Sequence, residues 1–214
     1  ACLPETLAAP QHLPGIAGFL RANLALARRP AFAVYAGSFA STSGVFFAFL
    51  AGAPFVVVNG LGLPPTAYGL AFVVVSLSYA GGNFITARLA QRLGVVRLLS
   101  LGTAVTFLGT ALALAAALAL PPSLVVLFGP AMLMALGNGV AQANAMAGAI
   151  SVRPKLAGTA SGLSGALQMA FGAVMTVLVG ATETGSGVAT AAFMLASALL
   201  CQAVLIGGKR AGAI

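Results

Sequence analysis

The sequence predicts an all-α protein that crosses a membrane as a bundle of six helices. Of its 214 residues, 60% are hydrophobic and only 6% are charged, whereas soluble domains carry roughly 25% charged residues. This number of charges is too small to cover a water-facing surface. Most of the surface must therefore face lipid. Six apolar stretches are each long enough to cross a bilayer, which takes about 20 residues. The basic residues all fall on one side of this six-span arrangement.

Residues 1–29 precede the first apolar stretch and have a mixed composition. Pro4, Pro10 and Pro14 oppose a long helix at the start of this segment. The part that follows places apolar residues at helical spacing and arginines elsewhere, as "GIAGFLRANLALARR". This pattern is typical of a short helix that lies on the membrane surface. A disordered linker is the alternative interpretation.

Residues 30–210 contain the predicted transmembrane part, and residues 211–214 form a short tail. The breaks between the apolar stretches are rich in turn residues or in charge, which marks the ends of helices. The predicted spans cover about 31–57, 66–88, 98–119, 123–150, 157–181 and 187–207.

The ten basic residues predict how the chain is oriented. The first, third and fifth breaks carry none of them, and Glu183 lies in the fifth break. Because cytoplasmic loops are enriched in Lys and Arg, both termini are predicted to be cytoplasmic. The basic residues are not gathered on one helix or face, so no nucleic-acid partner is indicated. They are Arg21, Arg28, Arg29, Arg88, Arg92, Arg97, Arg153, Lys155, Lys209 and Arg210.

The string Gly162-Leu163-Ser164-Gly165 raises the possibility of an intramembrane serine protease. A serine nucleophile needs a base within hydrogen-bond reach, usually a histidine. The one histidine, His12, precedes every span, and the two carboxylates, Glu5 and Glu183, lie outside the spans. No metal-ligand cluster or phosphate-binding glycine loop is present in the sequence either. The sequence therefore predicts no enzyme activity, no catalytic residue and no metal site.

Small residues around Ser164 favour a packing function for the same segment. Residues at steps of three or four form one small and polar stripe, the kind that lets membrane helices approach closely. Gly158 and Gly162 add a neighbouring pair four residues apart. The residues predicted to pack helices are Gly158, Gly162, Gly165 and Gly172.

Uncharged polar side chains concentrate in spans one, two, four and five. Amide groups in hydrocarbon are costly unless they meet partners or water, so these spans are predicted to line a cavity. Spans three and six carry few strong polar groups and are predicted to face lipid. The same division in each set of three helices is typical of transporters with inverted repeats. Helix–helix hydrogen bonding without ligand contact remains the alternative for each candidate: Tyr35, Ser38, Thr42, Asn83, Asn138, Gln142 and Gln168.

Three segments carry a resemblance to a known family. They are "LPETLA" at 3–8, "GSFASTSGVFFAFLAGAPFVVV" at 37–58 and "ANAMAGAISVRPKLAGTASGLSGALQMAFGA" at 143–173. These segments resemble the bicyclomycin-resistance (Bcr/CflA) branch of the major facilitator superfamily. Their order and spacing are similar to its C-terminal half, from the end of the sixth helix through the twelfth.

The resemblance implies the C-terminal half of a twelve-helix major facilitator fold with a 3+3 inverted repeat. Residues 1–29 would then be the cytoplasmic linker between the halves, and the six spans would be helices seven to twelve. In this superfamily, helices seven, eight, ten and eleven border the central cavity, which is the division that the polar residues give. The implied location is the bacterial inner membrane.

The function implied by the resemblance is secondary active efflux of drugs or small amphipathic metabolites by proton antiport. The proton gradient would drive it without a cofactor. The expected partners are the lipid bilayer, an N-terminal half-bundle outside this sequence and a small-molecule substrate. No span carries an acidic residue or a histidine, and family members carry theirs in the N-terminal half. A self-sufficient homodimeric six-helix transporter and a non-transporting membrane scaffold are the alternatives.

Overall fold

The computed structural model describes residues 15–214 of the chain, and within them every regular element is helical. Six helices are long and apolar enough to cross a membrane, which confirms the predicted fold class. The elements are α1 (Ile16–Ala27), α2 (Pro30–Phe55), α3 (Pro65–Leu93), α4 (Val95–Ala119), α5 (Leu124–Ser151), α6 (Ala157–Thr182) and α7 (Val188–Arg210).

The short helix α1 lies where the sequence predicted a surface helix. It packs against α6 and α2. Leu26 is fully buried in a cluster that includes Phe32, Tyr35 and Leu205, so α1 is attached to one end of the bundle. The preceding part of the predicted linker, with His12 and Glu5, lies outside the described residues.

Proline, serine and glycine set the ends of several helices. Pro30 and Pro65 begin α2 and α3, where the missing N–H has no helical partner to lose. Ser123 caps α5, because its hydroxyl accepts a hydrogen bond of 3.3 Å from the Val126 N–H. Gly94, with φ of 75°, makes the tight turn between α3 and α4.

Helices α2 and α5 form the centre of the bundle. α2 contacts α5, α6 and α7, and α5 contacts α3 and α4 as well. Glycines bring the neighbouring backbones close together: a side-chain carbon on Gly82 of α3 would lie 3.0 Å from the Val140 nitrogen of α5, and one on Gly109 of α4 would lie 2.8 Å from the Met134 Cα. Such close approach lets membrane helices associate through van der Waals contact.

The C-terminal end of α2 widens into a π-helical turn, Val56–Gly60. Pro54, within α2, has no N–H to donate to the preceding turn, which weakens the regular hydrogen-bond ladder there. The widened turn ends against the loop between α6 and α7, where a side-chain carbon on Gly60 would lie 3.2 Å from the Gly185 Cα. The end of α2 is therefore held by this loop.

Glu183 organises the loop between α6 and α7. Its Oε1 accepts hydrogen bonds from the N–H groups of Thr184 at 3.1 Å and of Gly185 and Gly187 at 3.0 Å. Its Oε2 accepts from the Thr190 N–H at 2.9 Å and also from the Thr190 hydroxyl. The carboxylate thus neutralises the amino end of α7, and the Thr190 side chain fills the space beside Gly52 of α2.

Hydrogen bonding determines the direction of the pKa shift at Glu183. Burial raises the pKa of this carboxyl, but the hydrogen bonds from Thr190, Gly187 and Gly185 together outweigh it and leave the pKa below its ordinary value. A group with a lowered pKa stabilises the folded state at neutral pH, and that stabilisation is lost as the pH falls through the lowered pKa.

We expect Glu183→Gln to lower the free energy of unfolding by about 1–3 kcal/mol, because an uncharged amide replaces the acceptor of five hydrogen bonds. Thermal unfolding of the purified protein in detergent at neutral pH measures this loss. The matched control is Thr184→Ala, which changes an exposed neighbour. Equal melting temperatures for Glu183→Gln and the wild type would show that the carboxylate does not hold the loop.

Candidate functional site

An open cleft of about 250 Å³ lies among α2, α3, α5 and α6. These four helices are the spans that the sequence predicted to line a cavity. Among the described residues, no charged side chain contributes to the lining, which combines aromatic rings with hydroxyl and amide groups. The lining residues are Ser43, Phe46, Phe47, Tyr79, Gln142 and Gln168.

A chain of hydrogen bonds crosses one wall of the cleft. The Tyr79 hydroxyl of α3 donates to Gln142 Oε1 of α5 at 3.0 Å, and Gln142 Nε2 donates to Ser43 Oγ of α2 at 3.1 Å. Ser43 Oγ in turn donates to the Phe39 carbonyl at 2.8 Å. Gln142 therefore has both ends of its amide engaged and fixes three helices relative to one another.

Gln168 differs from Gln142 although both are amides at the cleft. It projects from α6 and is partly exposed. Among the described residues, no side chain or backbone group forms a hydrogen bond with the side-chain amide of Gln168. An amide offers two donors and an acceptor, so Gln168 can bind a polar group that enters the cleft.

Aromatic rings extend from the cleft along the line between α2 and α3. The centroid of the Phe46 ring lies 6.1 Å from that of Tyr79 and 6.3 Å from that of Phe72. Tyr68 continues the row, 5.6 Å from Phe72. Tilted rings at such distances attract one another and present apolar surface. The cleft therefore offers an apolar wall next to a few polar groups, which suits an amphipathic ligand.

Four of the predicted cavity residues lie in the bundle interior instead of at the cleft. Tyr35, Ser38, Thr42 and Asn138 are at most 8% exposed. The Tyr35 ring fills the space beside Gly148, and Thr42 Oγ1 donates to the Ser38 carbonyl at 2.8 Å. The physical reason is that α2 is surrounded by α5, α6 and α7, so most of its polar side chains face a neighbouring helix.

Asn83 also lies off the cleft. Its Nδ2 donates to the Tyr79 carbonyl one turn earlier in α3, at 3.1 Å. Among the predicted candidates, the structure thus brings Gln142 and Gln168 together at the cleft and leaves the others in helix contacts.

Sequence reasoning missed four lining residues: Ser43, Phe46, Phe47 and Tyr79. Ser43 follows Ser38 and Thr42 in a polar part of the first span, and Tyr79 precedes Asn83 by one helical turn. These positions therefore gave a weak signal. Phe46 and Phe47 gave none, because an aromatic residue in a membrane span is ordinary in lipid-facing and cavity-facing positions alike.

Ser164 has no catalytic surroundings in the described part of the chain. Its side chain is fully buried, and its hydroxyl has no hydrogen-bond partner there. The described residues also contain no cluster of His, Cys, Asp or Glu side chains that could hold a metal ion.

Comparison with known proteins identifies relatives among membrane transporters. No protein-family model matches the chain. The chain is 31% identical over 179 residues to the bicyclomycin resistance protein homolog of Haemophilus influenzae, a match that covers 81% of this chain and 42% of that protein. It is 26% identical over 206 residues to the uncharacterized MFS-type transporter YdgK of Bacillus subtilis, covering 96% of this chain and 51% of that protein.

The chain is similar over most of its own length to a bicyclomycin resistance protein homolog and to an MFS-type transporter, that is, one of the major facilitator superfamily. It spans about half the length of the curated relatives it matches. Major facilitator proteins are transporters and not enzymes, in agreement with the prediction that Ser164 is not a nucleophile. The six membrane-crossing helices correspond to one half of such a transporter.

Within the bundle, the predicted packing glycines of α6 differ in their surroundings. A side-chain carbon on Gly172 would lie 2.5 Å from Cδ2 of the Phe47 ring of α2. One on Gly158, Gly162 or Gly165 would have no described atom within 4 Å. The structure therefore places Gly172 in a contact inside the bundle. The other three glycines make no close helix contact among the described residues, although Gly165 lies two turns before Gly172 on the same side of α6.

We expect Gly172→Leu to destabilise the bundle by about 1–3 kcal/mol, because the added side chain must displace the Phe47 ring. Gly162→Leu is the matched control on the same helix and is expected to leave the unfolding free energy unchanged or slightly higher. Detergent-solubilised variants are compared by thermal unfolding. Equal destabilisation by both substitutions would contradict the difference in surroundings.

Proposed function

We propose that this chain is the C-terminal half of a transporter that exports drugs or small amphipathic metabolites in exchange for protons. The observation that carries the proposal is the cleft among α2, α3, α5 and α6, where aromatic rings lie beside the free amide of Gln168 and the fixed amide of Gln142. The name of the Haemophilus influenzae relative, a bicyclomycin resistance protein homolog, supports drug export as the direction of transport.

The cleft favours uncharged or amphipathic substrates. Phe46, Phe47 and Tyr79 supply apolar contact, and Gln168 supplies hydrogen bonds that set orientation. The cleft is open on one side, where a second bundle could complete the substrate cavity. Transport could then work by alternating access, in which two bundles rock around a site between them.

Exposed apolar faces on α3 and α6 support a second bundle as the partner. Leu70 and Leu77 of α3 are 74% and 66% exposed, and Met169 and Val177 of α6 are 59% and 69% exposed. The glycine positions of α6 around Gly162 also have open space beside them. Small residues at such positions suit close contact with another membrane helix, and the chain's half length relative to its relatives agrees with a missing half.

Proton coupling is assigned to the other half. Glu183 is the one acidic residue in the described part of the chain, and it lies outside the spans. Both of its oxygens already accept hydrogen bonds that hold its pKa below the ordinary value. A proton carrier must change charge during the transport cycle, so Glu183 is a poor carrier.

The proposed location is the bacterial inner membrane, with both termini in the cytoplasm. All ten basic residues lie on one side of the six-span arrangement, as cytoplasmic loops require. A cysteine introduced at Gly62 is expected to react with a membrane-impermeant maleimide added outside spheroplasts, whereas one at Ser151 reacts only after permeabilisation. Reaction at Ser151 alone in intact spheroplasts would reverse this orientation.

Efflux from cells tests the proposed function. Cells that express this chain, the N-terminal half, or both are loaded with ethidium or exposed to bicyclomycin, and retention or survival is measured. Export is expected only in cells that express both halves. The N-terminal half supplies the opposite wall of the substrate cavity and the proton-coupling group, and this chain supplies the cleft. Proton-dependent export by purified residues 1–214 alone in liposomes would contradict the half-transporter model and favour a homodimer.

The two cleft amides provide a matched pair of variants in the same cells. Gln168→Leu is expected to change which compounds are exported at unchanged protein level, because it removes a free hydrogen-bonding group. Gln142→Leu is expected to lower the melting temperature as well, because it leaves Tyr79 and Ser43 without their partner; one such bond in a membrane protein contributes about 0.6 kcal/mol. An unchanged export profile in Gln168→Leu would remove this residue from the substrate site.

A further inference from the structure

A second cavity, separate from the cleft, lies on the outside of the bundle. It is a groove of about 270 Å³ between α3 and α4, with α5 as its floor. It shares no lining residue with the cleft. An apolar cavity of about 150 Å³ already admits benzene, so this groove has room for a stretch of hydrocarbon. Its walls include Leu89, Leu93, Leu98, Leu101, Val105 and Val140.

The groove exists because α3 and α4 diverge after the Gly94 turn. Both helices pack mainly on α5 and make few contacts with each other. On the α4 side, Gly102 lies close to α5: a side-chain carbon on it would lie 3.0 Å from the Ala141 Cα. Because α4 and α5 are in such close contact there, the groove does not extend between them. Leu101 remains 55% exposed, so the groove opens outward. Its lining side chains are all aliphatic, which leaves no polar group to orient a polar ligand.

Arginines stand at the end of the groove where the chain turns. Arg92 and Arg97 are exposed and adjoin the groove residues Leu93 and Leu98. Arg88 lies one turn earlier, with its guanidinium 4.8 Å from the centroid of the Phe84 ring. In the part of the chain that the structure describes, no carboxylate faces these arginines, since Glu183 lies in the break between α6 and α7.

We propose that this groove binds one acyl chain of an anionic phospholipid, whose phosphate is held by Arg92 and Arg97. The long, aliphatic, outward-facing groove matches a hydrocarbon chain, and the unpaired cations at its end match a negatively charged headgroup. Basic pockets at the ends of membrane helices bind such headgroups, and an arginine fork pairs with phosphate through two parallel hydrogen bonds.

A bound lipid would also support the fold. It would fill the space between α3 and α4, where the two helices have little contact of their own, and its phosphate would offset part of the positive charge of Arg92 and Arg97. The proposal does not depend on which compound the cleft accepts, so it can fail while the transport function stands.

Lipid retention tests the site. Protein encoded by the complete reading frame is purified in detergent with phosphatidylglycerol or phosphatidylcholine of identical acyl chains, and bound lipid is counted by native mass spectrometry. Phosphatidylglycerol is expected to be retained in preference to phosphatidylcholine, and the melting temperature is expected to rise with it. Arg92→Gln/Arg97→Gln is expected to reduce this retention about thirty-fold, since each basic residue contributes about a five-fold effect. Val105→Trp, which fills the groove, is expected to displace the lipid with both arginines in place.

The matched control is Arg153→Gln/Lys155→Gln, which removes two exposed cations from a different break and is expected to retain lipid normally. Glycerol 3-phosphate, the headgroup chemistry without acyl chains, is expected not to raise the melting temperature. Equal retention of the two lipids by the wild type, or equal loss in the two charge variants, would overturn the proposal. So would retention in Val105→Trp at the wild-type level, which would show that a neighbouring helix or the surface alone accounts for the interaction.

Discussion

The absence of water from the bilayer core is the constraint on which this structure depends. Every backbone N–H and C=O in hydrocarbon must be paired within the protein, and six long helices satisfy that demand without help from neighbours. Where Pro54 interrupts the helical hydrogen bonds of α2, a π-helical turn follows. This turn packs against the loop that Glu183 organises. Some buried hydroxyls meet the same constraint, because Thr42 and Ser43 donate to carbonyls of their own helix, whereas those of Ser38 and Ser164 have no hydrogen-bond partner among the described residues.

That constraint also separates the two amides of the cleft. Gln142 meets the constraint inside the protein, through Tyr79 and Ser43 on two other helices, and so acts as a structural tie. Gln168 has no such partner among the described residues, yet it faces an open space and not a sealed core. A polar group left free at an opening is a natural place for ligand contact, whereas an equally polar group between helices is not.

The outer surface of the bundle contains two kinds of apolar face with different expected neighbours. The face of α6 around Gly162 carries small residues with open space beside them, which suits close contact with another helix. The groove between α3 and α4 is concave, aliphatic and bordered by Arg92 and Arg97, which suits a lipid chain with a charged head. Exposure alone would not distinguish these faces; shape and the nearest charges do.

The sequence by itself determined the number of spans and the helices that build the cleft, because apolar length and the distribution of polar residues depend on composition along the chain. It did not determine which polar residues reach the cleft. Ser38 and Ser43 are equally polar and equally buried residues of one span, but only Ser43 lines the cleft. Successive residues of a helix point in different directions around its axis. Which of them reach the cleft therefore depends on how α2 packs against α5, α6 and α7, and that is a property of the tertiary structure.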